Sequence, residues 1–213
     1  MAKAKKSTKV RIDPLFLRNE FEGEGKYEIP LVRKQNLDFS SDINIISYSD
    51  IKKNDNENNK RKGVHFFVDD YRFEGIYNHP ERSLGKLMQY KFLCTPDFSL
   101  YYEMKPWRQI ENIAKNRWLG AYWQSKGLTV YPTISWSGSR SFDYCFDGVE
   151  KGTTVAIGMI GSKRNNKRNF LLGFNEMLRR IEPENIICFG QPFDEMKGNL
   201  IVIDYAESRK VVR

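Results

Sequence analysis

Short apolar runs alternate with segments of helical spacing along most of this chain, and this alternation limits the folds open to it. Runs that are apolar at nearly every position are typical of strands buried on both faces, as in parallel sheets covered by helices. The predicted strands lie at residues 64–68, 92–94, 128–134, 155–160, 185–189 and 200–204, and residues 43–48 form a further short candidate. We therefore predict an α/β fold with a largely parallel sheet of five to six strands.

The number of strands narrows the versions of this fold. Five or six strands are fewer than the eight of a closed α/β barrel, so we expect either an incomplete, barrel-like sheet or an open, doubly wound one. The interval between 185–189 and 200–204 is short for a helical crossover. We expect an antiparallel hairpin at that edge.

Three segments between the strands have apolar residues at three- and four-residue steps, which predicts covering helices. They span residues 80–90, 106–126 and 170–181. The longest begins with Pro106, and proline suits the first helical position. We expect the three tryptophans of this helix to pack against the core, namely Trp107, Trp118 and Trp123.

Composition favours one globular domain, residues 15–213, preceded by a flexible basic arm, residues 1–14. A chain of 213 residues with 40% hydrophobic content has room for a sizeable core. No apolar run approaches the roughly 18 residues that a membrane span needs. Three distant cysteines and two histidines argue against a disulfide framework and a zinc site, so we predict a cytoplasmic protein with reduced thiols.

The net charge of +8 is concentrated in three segments, residues 1–14, 52–62 and 163–168. Together they carry more net positive charge than the whole chain, so the remainder is net acidic. The middle segment is rich in asparagine, has no apolar residue and is predicted to be a solvated loop. Clustered basicity favours a surface that binds a polyanion, although loop lysines also serve simply to keep a loop in water.

The third basic segment, residues 163–168, lies between a predicted strand and a predicted helix within the region 153–181. A helix N-terminus presents free N–H groups and a dipole that favours anions, and cations placed there oppose that dipole. Binding of a phosphate explains the presence of these cations better than helix stability does. The predicted phosphate-binding residues in this corner are Gly161, Ser162, Lys163, Arg164, Lys167 and Arg168.

The loop after strand 128–134 contains Trp136 and Arg140. An aromatic ring and a guanidinium group in one loop can stack on a base and hold a phosphate. We therefore add both residues to the predicted nucleic-acid-binding set. The alternative is that Trp136 packs on a helix or fills the end of the sheet.

Two aspartates follow neighbouring predicted strands, Asp70 after 64–68 and Asp97 after 92–94. Ligands of parallel α/β folds collect at the carboxyl ends of the strands, so these side chains are candidate catalytic residues. Two carboxylates side by side divide acid and base roles or bind a divalent metal, although no metal-binding motif is present. Aspartate after a strand is also an ordinary turn residue.

Several enzyme classes are excluded by their missing motifs. Ser135 and Ser137 have no histidine partner within a recognisable hydrolase motif. The chain contains neither a Walker A sequence nor G-x-G-x-x-G, which argues against nucleoside-triphosphate and dinucleotide binding.

Five stretches within residues 64–204 form a recognisable set, namely FLCTPDFSLY, KPWRQIENIAKNRW, GLTVYPTISWS, FDGVEKGTTVAIGMIG and GFNEMLRRIEPENIICFG. They resemble a protein family known as domain of unknown function 4417, which occurs in bacteria, phages and mobile elements. The resemblance implies a phage, prophage or plasmid setting in a bacterial cytoplasm, and it brings no reaction and no catalytic residues.

Three functions remain open at this point. The first is a mobile-element protein that binds DNA or RNA, in replication or DNA processing. The second is an enzyme that uses Asp70 and Asp97 on a nucleotide or nucleobase. The third is a module that binds a host protein. None of the three involves a membrane.

Overall fold

The computed structural model describes residues 11–35, 43–160 and 166–204. Residues 1–10 of the predicted arm, and Gly161 to Arg164 of the predicted phosphate corner, lie outside these ranges. The strands are β1 (Gly23–Glu24), β2 (Ile29–Pro30), β3 (Ile45–Ser47), β4 (Gly63–His65), β5 (Phe92–Cys94), β6 (Val130–Tyr131), β7 (Thr154–Gly158), β8 (Asn185–Phe189) and β9 (Leu200–Ile203). The helices are α1 (Pro14–Leu17), α2 (Glu57–Lys60), α3 (Glu74–Asn78), α4 (Pro80–Leu87), α5 (Pro106–Ser125) and α6 (Lys167–Ile181).

Two parallel sheets form the centre of the molecule, which confirms the predicted α/β fold. The first has the order β3-β4-β5-β6 and the second the order β7-β8-β9. A parallel bridge between Thr133 and Ala156 joins them. The short strands β1 and β2 form a separate antiparallel pair.

Strand order within both sheets follows the chain. A doubly wound sheet reverses its order at one point, and the described strands show no reversal. Side chains of the strands β3 to β9, or of residues just after a strand, meet in one apolar cluster. Its buried members are Ile45, Phe67, Phe92, Cys94, Tyr131, Ala156, Ile187, Phe189 and Ile203. Pairing between β9 and β3 is absent from the described residues, so barrel-like closure stays a prediction.

The last strand corrects one expectation. β9 pairs with β8 in parallel, with Ile186 opposite Leu200, and not as an antiparallel hairpin. The connection, residues 190–199, crosses the sheet without a helix. Its side chains Phe193 and Met196 pack into the core cluster beside α6, so the connection covers the sheet as a crossover helix would.

The long helix α5 is close to its predicted limits and is buried along most of its length. Trp118 and Trp123 are 1% and 0% exposed, as expected. Trp107 is 68% exposed, so its predicted place in the core is wrong. It lies in the first turn of the helix.

The Asn-rich segment, residues 52–62, is mostly exposed, as its composition predicts, but it is not only a loop. It contains α2, whose N-cap Asn56 accepts a hydrogen bond from the backbone of Asn59. Asp55 and Asn59 are buried, and Asp55 accepts hydrogen bonds from Tyr90 Oη at 2.6 Å and from Asn59 Nδ2 at 2.8 Å. A polar network therefore anchors this segment, and the apolar pattern gave no sign of it.

Among the described helices, none is long and apolar enough to cross a lipid bilayer.

Candidate functional site

A cleft of about 1230 Å³ opens at the carboxyl ends of the parallel strands. The segments that follow five successive strands supply its walls, and the first turns of α6 close one side. Representative lining residues, from β3 to α6, are Asp50, Asp70, Asp97, Ser135, Ile160 and Phe170. The strand-end rule thus located the cleft from the sequence, and the structure brings Asp70 and Asp97 into it together.

Asp70 stands at the start of a single 3-10 turn, Asp70–Arg72, after β4. Its carboxylate accepts hydrogen bonds from Ser99 Oγ at 2.9 Å and from the Ser99 backbone nitrogen at 3.1 Å. Ser99 belongs to the loop after β5, which also carries Asp97. These two bonds tie the neighbouring strand-end loops together across the floor of the cleft.

Asp97 is partly buried on the same floor. Burial, and to a lesser extent the negative charge of Asp70, raise the pKa of its carboxyl group to about 7, although a hydrogen bond with Ser135 acts in the opposite direction. Asp97 is therefore divided between its neutral and charged forms near neutral pH. That state suits a group that both donates and accepts protons.

The floor of the cleft is acidic in the part of the chain that the structure describes. The described lining residues include four carboxylic acids, Asp50, Asp69, Asp70 and Asp97, and one cation, Arg72. The described residues contain no group of three or more His, Cys, Asp or Glu side chains placed to hold a metal ion. A floor of this charge repels phosphate and favours neutral or cationic groups of a ligand.

Three tyrosines line the mouth of the cleft while remaining open to solvent. Tyr71, Tyr101 and Tyr102 are 71%, 61% and 66% exposed. Sequence reasoning missed them. Their signal was their position, because each follows within five residues of a strand-end aspartate.

Trp136 also lines the cleft, but it is packed. Its ring centroid lies 4.9 Å from that of Phe170 and 6.2 Å from that of Phe146. Gly173 of α6 leaves space for the indole, since a Cβ atom there would lie 2.3 Å from the ring. This geometry favours the packing alternative over base stacking.

Arg140 lies on the 3-10 turn Ser139–Asp143, where it is exposed and outside the lining of the cleft. The structure therefore does not place Arg140 beside Trp136 in one base-and-phosphate site.

The described part of the predicted phosphate corner consists of Lys167 and Arg168, both exposed in the first turn of α6. Lys167 Nζ forms an ion pair with Glu195 at 2.7 Å and lies 5.3 Å from the ring centroid of Phe193. Its charge thus has a partner within the chain. Gly161, Ser162, Lys163 and Arg164 lie outside the described residues.

The basic segment 52–62 and the two described cations of the segment 163–168 lie at opposite ends of the parallel strands. Residues 52–62 lead directly into β4, and the backbone of Lys91, just before β5, donates to Lys62 O at 3.1 Å. They therefore occupy the amino ends of the parallel strands. Lys167 and Arg168 follow β7 at the carboxyl ends. Among the described residues, these two sets of cations therefore lie at opposite ends of the strands, and a basic groove stays a prediction.

Comparison with known proteins finds a matching family and two similar phage proteins. A model of the family described as domain of unknown function (DUF4417) matches residues 21–206. The chain is 38% identical over 183 residues to the "Gene 1 protein" of Mycobacterium phage L5, covering 85% of this chain and 79% of that protein. It is 36% identical over 183 residues to the "Gene 1 protein" of Mycobacterium phage D29, covering 85% and 67%. No solved structure matches the chain significantly.

Proposed function

We propose a function from the premise that this chain belongs to the family described as domain of unknown function 4417 and is a phage-associated protein. Its proposed activity is acid–base catalysis on a nucleobase or nucleotide in the strand-end cleft. The observation that supports this activity is Asp97, a carboxyl group held beside Asp70 on the floor of the cleft.

The two aspartates differ in their surroundings, which divides their roles. Asp70 accepts two hydrogen bonds from Ser99, which fix the orientation of its carboxylate. Asp97 has a pKa raised to about 7 by burial and by the Asp70 charge. In this proposal Asp97 exchanges the proton with the substrate, while Asp70 keeps the local field negative and stabilises a cationic, protonated form of the base.

The mouth of the cleft supports the choice of substrate. Exposed aromatic rings stack on nucleobases with little dependence on sequence, and Tyr71, Tyr101 and Tyr102 provide three of them. The acidic floor favours the edge of a base over a phosphate. A nucleotide would enter with its base inward and its phosphate near Arg72 at the mouth.

A second candidate is binding of single-stranded nucleic acid without catalysis, in replication or DNA processing. The same exposed tyrosines favour it, since stacking platforms bind successive bases of a strand. The charge distribution is its weak point, because the described basic segments lie at opposite ends of the sheet.

Binding and turnover distinguish the two candidates. The protein is incubated with nucleosides, nucleotides and short single-stranded DNA and RNA. Calorimetry measures binding, and mass spectrometry measures conversion. The proposed enzyme converts at least one of them, and Asp97→Asn abolishes conversion while retaining binding. Binding without conversion supports the second candidate. Absence of both in the wild-type protein contradicts the proposal and its alternative.

The aromatic mouth has its own test. Tyr101→Ala and Tyr102→Ala should each weaken binding of a nucleotide about tenfold, because one base-stacking contact contributes about 1–3 kcal/mol. Trp107→Ala is the matched control, since Trp107 is an equally exposed aromatic residue outside the lining of the cleft. Equal effects of all three substitutions would contradict binding at the mouth.

A further inference from the structure

Three buried amide side chains lie on one face of α5. Gln109, Asn112 and Asn116 are 5%, 3% and 3% exposed. Their spacing of three and four residues places them above one another along the helix, on a side that is usually apolar. Because a buried amide without partners destabilises a fold, this row of amides requires a structural reason.

All three NH2 groups donate hydrogen bonds to the loop between β5 and α5, residues 95–105. This loop has no regular secondary structure, so its buried carbonyl groups depend on partners from elsewhere. The bonds, in order along the loop, are Asn116 Nδ2 to Pro96 O at 2.7 Å, Asn112 Nδ2 to Ser99 O at 2.8 Å, and Gln109 Nε2 to Tyr101 O at 3.1 Å and to Met104 O at 3.0 Å.

The bonds follow the loop from the floor of the cleft to its mouth. Asn116 holds the carbonyl directly before Asp97, and Asn112 holds the residue that donates to Asp70. Gln109 holds Tyr101 at the rim. A rigid helix therefore determines the path of the loop that supplies the central groups of the cleft.

The amide oxygens connect the same row to a second cleft loop. Gln109 Oε1 accepts hydrogen bonds from Ser137 Oγ at 2.8 Å and from Tyr144 Oη at 2.9 Å. Ser137 lines the cleft on the segment after β6. Gln109 thus fixes the loops after β5 and β6 relative to each other.

We propose that Gln109, Asn112 and Asn116 are positioning residues, which hold the loop after β5 in the path that places Asp97 beside Asp70 and the tyrosines at the mouth. The purpose of this arrangement rests on the proposed function, because preorganised groups are what a catalytic cleft requires. Its test does not, since it uses the free protein without a substrate.

The test compares Asn112→Ala with the wild-type protein. Hydrogen exchange of the backbone amides between Ser99 and Met104 should become about tenfold faster, because the loop loses one of its holding bonds. NMR titration of the Asp97 carboxyl group should show a lower midpoint, because a loosened loop admits water to the floor. A residue that only stabilises the fold would leave that midpoint unchanged.

The matched control is Gln124→Ala on the same helix. Gln124 also pairs with backbone groups, donating to Arg33 O at 2.8 Å and accepting from Arg33 N at 2.9 Å, but its partner lies away from the cleft. The control should leave both the loop exchange and the Asp97 titration at wild-type values. Equal changes in Gln124→Ala would overturn the proposal.

A second variant covers the case in which Asn112→Ala does not fold. Gln109→Ala removes the bonds at the rim, so exchange should accelerate at Met104 and its neighbours in the loop. A folded variant with unchanged exchange and unchanged titration overturns the positioning role. Turnover that persists in Asp97→Asn would instead refute the proposed function and leave the positioning result intact.

Discussion

Asp55, which is buried, and Asp97, which is partly buried, stand at opposite ends of the first sheet, and their surroundings shift their pKa values in opposite directions. At the amino ends of the strands, burial alone would raise the pKa of Asp55, but hydrogen bonds from Tyr90, Asn59 and two backbone N–H groups lower it overall. At the carboxyl ends, burial and the charge of Asp70 raise the pKa of Asp97 to about 7. The number of donors facing each carboxylate decides the direction.

This contrast separates a structural carboxylate from a candidate functional one. Asp55 is charged, saturated with donors and serves to anchor residues 52–62. Asp97 has few hydrogen-bond donors and lies in an open cleft, where a substrate can supply the donors that the protein lacks. Perturbed titration in a cleft is a recurrent property of catalytic groups, whereas the Asp55 network resembles a buried cap.

The largest effect is expected at the structural end. Asp55→Ala leaves the hydroxyl of Tyr90 and the amide of Asn59 without their acceptor, so the free energy of unfolding should fall by about 2–4 kcal/mol. Urea unfolding measures the loss. Asp69→Ala, at an exposed carboxylate, is the control and should change stability by less than about 0.5 kcal/mol. Equal stabilities of the two variants would remove the distinction.

The pH dependence of these two groups should differ in sign. Because the pKa of Asp55 is lowered in the folded state, Asp55 stabilises the fold at pH values above its unfolded-state pKa. This stabilisation is lost as the pH falls through the folded-state pKa. The raised pKa of Asp97 means that the folded state binds more protons than the unfolded state between about pH 4 and 7. The contribution of Asp97 is therefore lost as the pH rises through about 7.

Asp97→Asn should consequently stabilise the protein in alkaline solution. The gain in unfolding free energy at pH 8.5 should exceed that at pH 4 by about 1–4 kcal/mol, because the charged form no longer has to be buried. Urea unfolding at the two pH values gives the difference. The same gain at both values would show that Asp97 is not a strained carboxylate.

A smaller effect is expected for Asp70→Asn. Removing the neighbouring negative charge should lower the pKa of Asp97, but only in part, because burial is the larger cause of its raised value. NMR titration of the Asp97 carboxyl group measures the change. A rise of the Asp97 pKa in this variant would contradict the assigned electrostatic coupling.

Much of the fold and the outline of the site were accessible from the sequence because they depend on local patterns. Continuous apolar runs predicted parallel strands, and the residues directly after them, Asp70, Asp97 and Ser135, line the cleft. The parallel order also separates residues 52–62, which precede β4, from Lys167 and Arg168, which follow β7.

The features that were missed depend on partners distant in the chain. Asp55 is buried because of Tyr90, and the amides of α5 are buried because of a loop whose path no periodicity reveals. Trp107 has the apolar spacing of its helix, yet its side chain is exposed. Parallel pairing of β9 needed packing of Phe193 and Met196 in place of a crossover helix.

The proposed chemistry depends on a carboxyl group in the strand-end cleft that is present in both protonation states near neutral pH, and NMR titration of Asp97 measures this property. Asp97→Asn identifies the resonance by its disappearance. We expect a midpoint near pH 7 for this carboxyl group. A midpoint near pH 4, the ordinary value of an exposed aspartate, would show that the cleft holds no such group.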